Sequence, residues 1–182
     1  GTGVGGGVVT RGRLVRGAYG VAAEIGHIRV VPEGRLCGCG NRGCLEQYGS
    51  DTALVREARA AATASPRAAT ALLELAGGAP DAITGPMVTE AARSGDKSAR
   101  QAFAVVGRWL GHGIASLANV LDPAVIVIGG GVSEAGALLL DPLSETFDAA
   151  LAGRGYRPRA EIRAAELGNR AGVVGAADLA RA

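Results

Sequence analysis

Aromatic side chains are nearly missing from this chain: one Trp, two Phe and three Tyr make up 3% of its 182 residues. That excludes a surface on which single-stranded bases stack in series. Lysine is scarcer still. Lys97 stands alone among 19 basic residues, and the arginines are scattered rather than gathered into a patch. Against 17 acidic residues the net charge is +2, too small to steer a polyanion. Long apolar runs are also wanting. The longest, near Ala124–Ile128 and Ala135–Leu140, fall far short of the roughly 20 residues that cross a membrane. No basic stretch leads into an apolar one, as it would in a secretory leader. These gaps predict a cytoplasmic location and no membrane or nucleic-acid partner for these residues.

Glycine, by contrast, is abundant, at 30 residues. The chain opens without Met inside a glycine cluster, Gly1-Thr2-Gly3-Val4-Gly5-Gly6-Gly7. A cloning linker would be Gly/Ser and would lack the Val8-Val9 that follows, so the opening reads as the interior of a larger protein. Val8–Val15 reads as two short strands around a turn at Arg11-Gly12. Ile28–Val31, β-branched and bounded by Pro32, reads as a strand. Residues 33–44 carry no periodicity and read as a loop that something must hold in order.

Helical signals begin at Ser50 or Asp51, either of which can cap a helix running to about Ala62. Pro66 opens a second helix that stops at Gly77-Gly78. Thr84-Gly85-Pro86 opens a third, which ends at Ser94-Gly95. Asp96 caps a long fourth, whose apolar face is Phe103, Val106, Leu110, Ile114, Leu117 and Leu121. Gly111 and Gly113 weaken that helix by roughly 1 kcal/mol each, a loss that close approach of another backbone would offset. After Asp122-Pro123, the run Ala124–Ile128 reads as a parallel strand buried on both faces. It leads into Gly129-Gly130-Gly131. Asp141-Pro142 reads as the start of a helix to Leu151. A strand near Glu161–Ala164 and a helix at Ala171–Ala180 follow. The order of helix, buried strand, glycine turn and helix predicts an α/β architecture.

Three cysteines, Cys37, Cys39 and Cys44, fall within eight residues. Cys37 and Cys39 are too near one another for an easy disulfide. Three thiolates need one more ligand to close a tetrahedral site. His27, ten residues before Cys37, and His112, on the long helix, are the two histidines that could supply it. Gly38, Gly40 and Gly43 would let the backbone wrap a small ion. The plainer alternative is three buried, inert thiols. Glu24 and Glu46 flank the cluster. If His27 and Cys44 share a metal, both carboxylates arrive beside it, where each can accept hydrogens from vicinal hydroxyls. Otherwise they are solvated surface charges. Gly1–Gly7 and Gly129–Gly131 could offer backbone N–H groups to phosphates. Neither fits the Walker A or dinucleotide fingerprint.

Glu24-Ile25-Gly26-His27, followed by Cys37-Gly38-Cys39-Gly40-Asn41-Arg42-Gly43-Cys44-Leu45-Glu46, resembles the signature of the repressor, open-reading-frame and kinase family. Gly1–Gly7 is similar to that family's second phosphate segment, and Asn119–Gly131 to its adenosine segment. Leu167-Gly168-Asn169 with Ala171–Ala177 is similar to its C-terminal helix. The resemblance implies the two-lobed actin-like ATPase fold, related to ribonuclease H, with residues 1–182 as the C-terminal lobe. It implies zinc held by His27, Cys37, Cys39 and Cys44, and sugar contacts from Glu24, His27 and Glu46. It implies that Gly1, Thr2, Gly3, Val4, Gly5, Gly6, Gly7 and Val8, with Gly129, Gly130 and Gly131, face ATP, which comes with magnesium. The family's general-base Asp belongs to the other lobe, so no catalytic residue is assigned here. The implied reaction carries the γ-phosphate of ATP to the 6-hydroxyl of glucose, and this lobe alone should not turn over. Kinases of N-acetylated hexosamines or of fructose, a sugar-responsive transcription repressor, and a free-standing zinc module are the competing readings. The family generally forms dimers or tetramers.

Overall fold

The structure, a computed structural model, describes residues 2–181, the side chain of Asn169 excepted. Helices dominate it. A small hairpin, β1 (Val9–Thr10) and β2 (Arg13–Leu14), turns at Arg11-Gly12 as the sequence suggests. The helices are α1 (Glu46–Gly49), α2 (Asp51–Ala64), α3 (Thr70–Leu75), α4 (Gly85–Arg93), α5 (Lys97–Leu121), α6 (Ala137–Ala150) and α7 (Ala171–Leu179). Between α5 and α7, strand β3 (Val125–Ile128), helix α6 and strand β4 (Glu161–Ala164) form a βαβ unit. Its strands pair in parallel, Val125 opposite Glu161 through Ile128 opposite Ala164. Parallel neighbours require such a crossover. Among the described residues, no helix is long and apolar enough to cross a membrane.

α5 is the axis of the molecule. Phe103, Val106, Leu110 and Ile114 are buried on it, against Leu54 of α2, Val88 of α4 and Leu139, Leu143 and Phe147 of α6. The face drifts toward its C-terminal end, where Leu121 is 48% exposed. The contact with α6 depends on glycine. A β-carbon on Gly111 would lie 2.6 Å from the Leu143 carbonyl oxygen, and one on Gly107 would lie 2.8 Å from Pro142 Cγ. The backbones therefore meet at Gly111 as its position in the sequence implies. Gly113 faces a side chain instead, that of Leu45.

Caps fix the helix starts. Ser50 Oγ accepts from Ala53 N at 3.2 Å. Asp96 is buried and accepts twice, from Ala99 N at 2.9 Å and from Leu72 N at 3.1 Å. One carboxylate thus caps α5 and ties α3 to it. Asp96→Ala removes the cap and strands a buried N–H, a loss of about 1–3 kcal/mol. Urea unfolding checks this; a loss below about 0.5 kcal/mol, the range of an ordinary surface change, would contradict the double role.

Four expectations need correction. Ile28–Val31 is not a strand. Val30 N and Val31 N both donate to Gly43 O, and Leu45 N donates to Ile28 O. The segment spends its backbone groups on one loop, leaving an isolated bridge between Arg29 and Cys44. β3 is not buried on both faces: Val125 and Val127 are 40% and 60% exposed, while Ile126 and Ile128 pack against the core. α6 starts at Ala137, four residues before Asp141, and contains Pro142. The proline ring packs into the space over Gly107 of α5. The second helix is divided into a 3-10 turn, Pro66–Ala68, and α3.

Candidate functional site

The loop from Ile28 to Leu45 folds back on itself through short backbone bonds. Gly43 N donates to Arg35 O, Cys37 N to Asn41 O and Gly40 N to Cys37 O, at 2.8 to 3.0 Å. Gly40 and Gly43 turn at φ +89° and +78°, a region that only glycine enters freely. At Gly43 there is no room for a β-carbon either, because the Val31 carbonyl occupies its place. The outcome is that His27, Cys37, Cys39 and Cys44 converge. One ligand atom from each lies within 4.8 Å of the others. His27 Nδ1 stands 3.6 Å from Cys37 Sγ, and Cys39 Sγ stands 3.6 Å from Cys44 Sγ. A tetrahedral ion with sulfur at ~2.3 Å has edges of ~3.7 Å, so the four atoms fit around one metal ion. His112 is not in this group. It lines a groove with Ile28, Arg29 and Trp109.

The carboxylates arrive with the imidazole. Glu24 Oε2 lies 3.9 Å from His27 Nε2, and Glu46 Oε1 lies 4.0 Å from His27 Nδ1. Glu24 is largely exposed and Glu46 mostly covered, at 65% and 20% of their side chains. Glu46 also accepts from Cys37 Sγ at 3.0 Å. Its place is fixed by Leu45, which is fully buried against Gly113.

The free thiols differ in acidity. For Cys37 the Cys39 backbone N–H lowers the pKa, but the Glu46 carboxylate, burial and the two other thiols outweigh it and push the group up to about 12. Cys39, exposed and facing the Asn41 N–H, is held at about 7. Burial, then the Cys39 neighbour, raises Cys44.

The glycine-rich opening lies over this region. The Val4 carbonyl occupies the position a β-carbon of Gly26 would take, and Gly3 lies against the Glu46 carboxylate. Thr52 Oγ1 of α2 donates to Thr2 O at 2.8 Å. Gly1 lies outside the described residues. Gly5 has open space beside it, while Gly6 lies against Ile25 and Gly7 against Leu14. Val8 O accepts from Val15 N in the hairpin. Gly129–Gly131 follow the carboxyl end of β3, with Gly130 at φ +96° and open space beside Gly131.

Sequence reasoning passed over Tyr48. Its hydroxyl accepts from Arg35 N at 2.8 Å and fills the space beside Gly34, and its ring centroid lies 4.9 Å from that of Trp109. It pins the Gly34-Arg35 segment of the loop to α1 two residues after Glu46. Nothing in the linear pattern separates it from any half-buried tyrosine.

The whole chain, not this site alone, is similar to known proteins. A glucokinase of Streptomyces coelicolor is 51% identical over 181 residues, covering 100% of this chain and 57% of that protein. The chain thus spans little more than half the length of this relative. The crystal structure of a ROK family glucokinase from Streptomyces griseus, in complex with glucose and AMPPNP, superposes with a TM-score of 0.97 at 53% identity, covering 100% of this chain and 58% of that one. An N-acetylglucosamine repressor of Escherichia coli is 33% identical over 171 residues, 94% of this chain and 40% of the repressor. The ROK family model matches residues 1–182, and with a superposition this close the chain belongs to the ROK family and has its actin-like ATPase fold.

Proposed function

We propose that residues 1–182 are the C-terminal lobe of a kinase that transfers the γ-phosphate of MgATP to the 6-hydroxyl of glucose. The observation that carries this reading is the placement of His27 between two carboxylates, 3.9 Å from Glu24 and 4.0 Å from Glu46. Carboxylates accept hydroxyl hydrogens in pairs, and a metal-bound imidazole keeps one N–H to donate. His27 turns Nδ1 toward the cysteines and Nε2 toward Glu24. Its outer nitrogen is therefore the one available to a hydroxyl. The Streptomyces griseus likeness, a complex with glucose and a nucleotide, supports both substrates.

Three sulfurs and one imidazole nitrogen form a donor set suited to zinc. Zinc on His27, Cys37, Cys39 and Cys44 would be structural, closing the loop that leads into Glu46. Thr2–Val8 and Gly129–Gly131, with Gly1, would face ATP, offering backbone N–H groups to phosphate oxygens. Magnesium would come with the nucleotide and neutralise the transferring group. The general base belongs to the parent's other lobe, which closes over the sugar and aligns the reacting oxygen. Free thiols and ATP suit the cytoplasm. A homodimer or homotetramer of the parent is expected from its family.

Thiol acidity gives the metal reading a pH signature. Ligands bind as thiolates, and Cys37 and Cys44, both raised, are protonated near neutrality. Cys39, at about 7, is mostly ionised at pH 8 and mostly protonated at pH 6. Zinc uptake therefore releases about two protons at pH 8 and approaches three at pH 6, and affinity strengthens as pH rises. Calorimetry in buffers of different ionisation enthalpy measures the number; release of fewer than one proton would rule out a thiol-rich ligand set.

The functional test uses the full-length parent, with glucose 6-phosphate formation followed by a coupled assay. Glu46→Gln should lower kcat/KM about a hundredfold, because a site built to hydrogen-bond hydroxyls loses an acceptor there. A parent that binds glucose yet makes no glucose 6-phosphate from MgATP would defeat the kinase reading. Turnover of N-acetylhexosamine or fructose above glucose would replace the substrate. The repressor likeness at 33% identity supports a second reading, a sugar sensor without phosphoryl transfer. Sugar-dependent binding of operator DNA by the parent would select it.

A further inference from the structure

We propose that Cys39 and Cys44 are a redox modification site, at which a peroxide joins them in a disulfide and expels the metal. The inference rests on the metal-binding reading for its second half alone. Three observations select this pair. Of the three thiols, Cys39 is exposed and Cys37 and Cys44 are buried. An oxidant in solution therefore meets Cys39 first. Cys44 Sγ is 3.6 Å from Cys39 Sγ, whereas Cys37 Sγ is engaged by the Glu46 carboxylate at 3.0 Å. The chain around Cys39 has room to move: a β-carbon on Gly38 or Gly40 would meet nothing within 4 Å.

A disulfide needs its sulfurs at ~2.05 Å, about 1.5 Å closer than they stand. The turns at Gly40 and Gly43 bracket the short ring from Cys39 to Cys44, and Gly40 supplies an open hinge. In the first step the Cys39 thiolate attacks hydrogen peroxide. The sulfur–oxygen bond forms, the oxygen–oxygen bond breaks, and hydroxide leaves to give a sulfenic acid. In the second step Cys44 sulfur attacks Cys39 sulfur. The sulfur–sulfur bond forms, the sulfur–oxygen bond breaks, and the oxygen leaves as water with the Cys44 proton or one from solvent. Overall, two thiols and one peroxide give one disulfide and two waters. The disulfide would leave His27 and Cys37 as the remaining donors for a metal of unchanged oxidation state, which would then be released. His27 and Cys37 alone do not close a tetrahedral site.

The experiment exposes the zinc-loaded chain and, in parallel, the zinc-stripped chain to a modest excess of hydrogen peroxide. Free thiols should fall from three to one in both. In the loaded chain a chromogenic chelator should register zinc in step with that loss. Trypsin cuts after Arg35 and Arg42, so Cys44 lies on a different peptide from Cys37 and Cys39. The peptide map should link the two peptides, with an alkylating label on Cys37. Dithiothreitol with zinc should restore all three thiols. The Cys39→Ser chain should keep the Cys37 and Cys44 thiols under the same dose. A link through Cys37, a sulfinic acid on Cys39 with Cys44 still free, or loss of both remaining thiols in Cys39→Ser would each overturn the assignment. A Cys39–Cys44 link in a chain that takes up no zinc upholds the pair and fails the metal reading instead.

Discussion

With zinc at the proposed site, Cys44→Ser will bring zinc content from close to one per chain to near zero. A serine hydroxyl is not deprotonated at neutral pH and is a poor partner for a borderline-soft ion. Loss of an outer-shell partner costs about 10- to 100-fold in affinity, and loss of a direct ligand costs more. The effect reaches past the ion. Cys44 is 1% exposed and sits between Gly43, whose carbonyl accepts from Val30 N and Val31 N, and Leu45, whose N–H donates to Ile28 O. Metal binding free energy is ordering free energy for such a segment. Hydrogen exchange should therefore rise at Val30, Gly40 and Gly43, while the α5–α6 core stays protected. Elemental analysis and exchange mass spectrometry read the two halves. Full zinc retention would reject the ligand set, and unchanged exchange would show that the backbone bonds alone hold the loop.

Gly111→Ala will lower stability, against its helix propensity. Alanine is better than glycine inside a helix by roughly 1 kcal/mol. Here the added carbon would lie 2.6 Å from the Leu143 carbonyl oxygen and 2.7 Å from Thr146 Cβ. Both are α6 atoms, and neither is the far end of a flexible side chain. The helices must part where Leu139, Leu143 and Phe147 are buried. Overpacking of this kind costs about 1–3 kcal/mol. For a chain of this size, that lowers Tm by about 2–4 °C per kcal/mol. A thermal melt that moves upward would show that propensity outweighs the packing of α5 on α6.

What the linear pattern disclosed follows from locality. Ser50 and Asp96 each accept from an N–H three residues on, so the caps were readable. The four Cys/His residues lie within one short stretch, and their interleaved glycines announce a tight wrap. Long-range choices were not readable. Ile28–Val31 has the composition of a strand, but its partners come from Gly43 and Leu45. Pro142 has the local look of a first helical residue, but its ring is accommodated by Gly107 from another helix. The open face of β3 depends on what lies across the sheet, and a run of β-branched residues does not record that. Gly26 looked like part of a motif alone. Its lack of a side chain also lets the Val4 carbonyl pass over it.

The seat of Leu45 on Gly113 links the divergence of two distant positions. Leu45 fills the room that Gly113 leaves, and Glu46 follows directly after it. A methyl group at 113 would lie 2.6 Å from Leu45 Cδ2, so the side chain at 45 must shrink or the short helix that starts beside it must tilt. A change of volume in the interior of α5 is therefore felt at the Glu46 carboxylate.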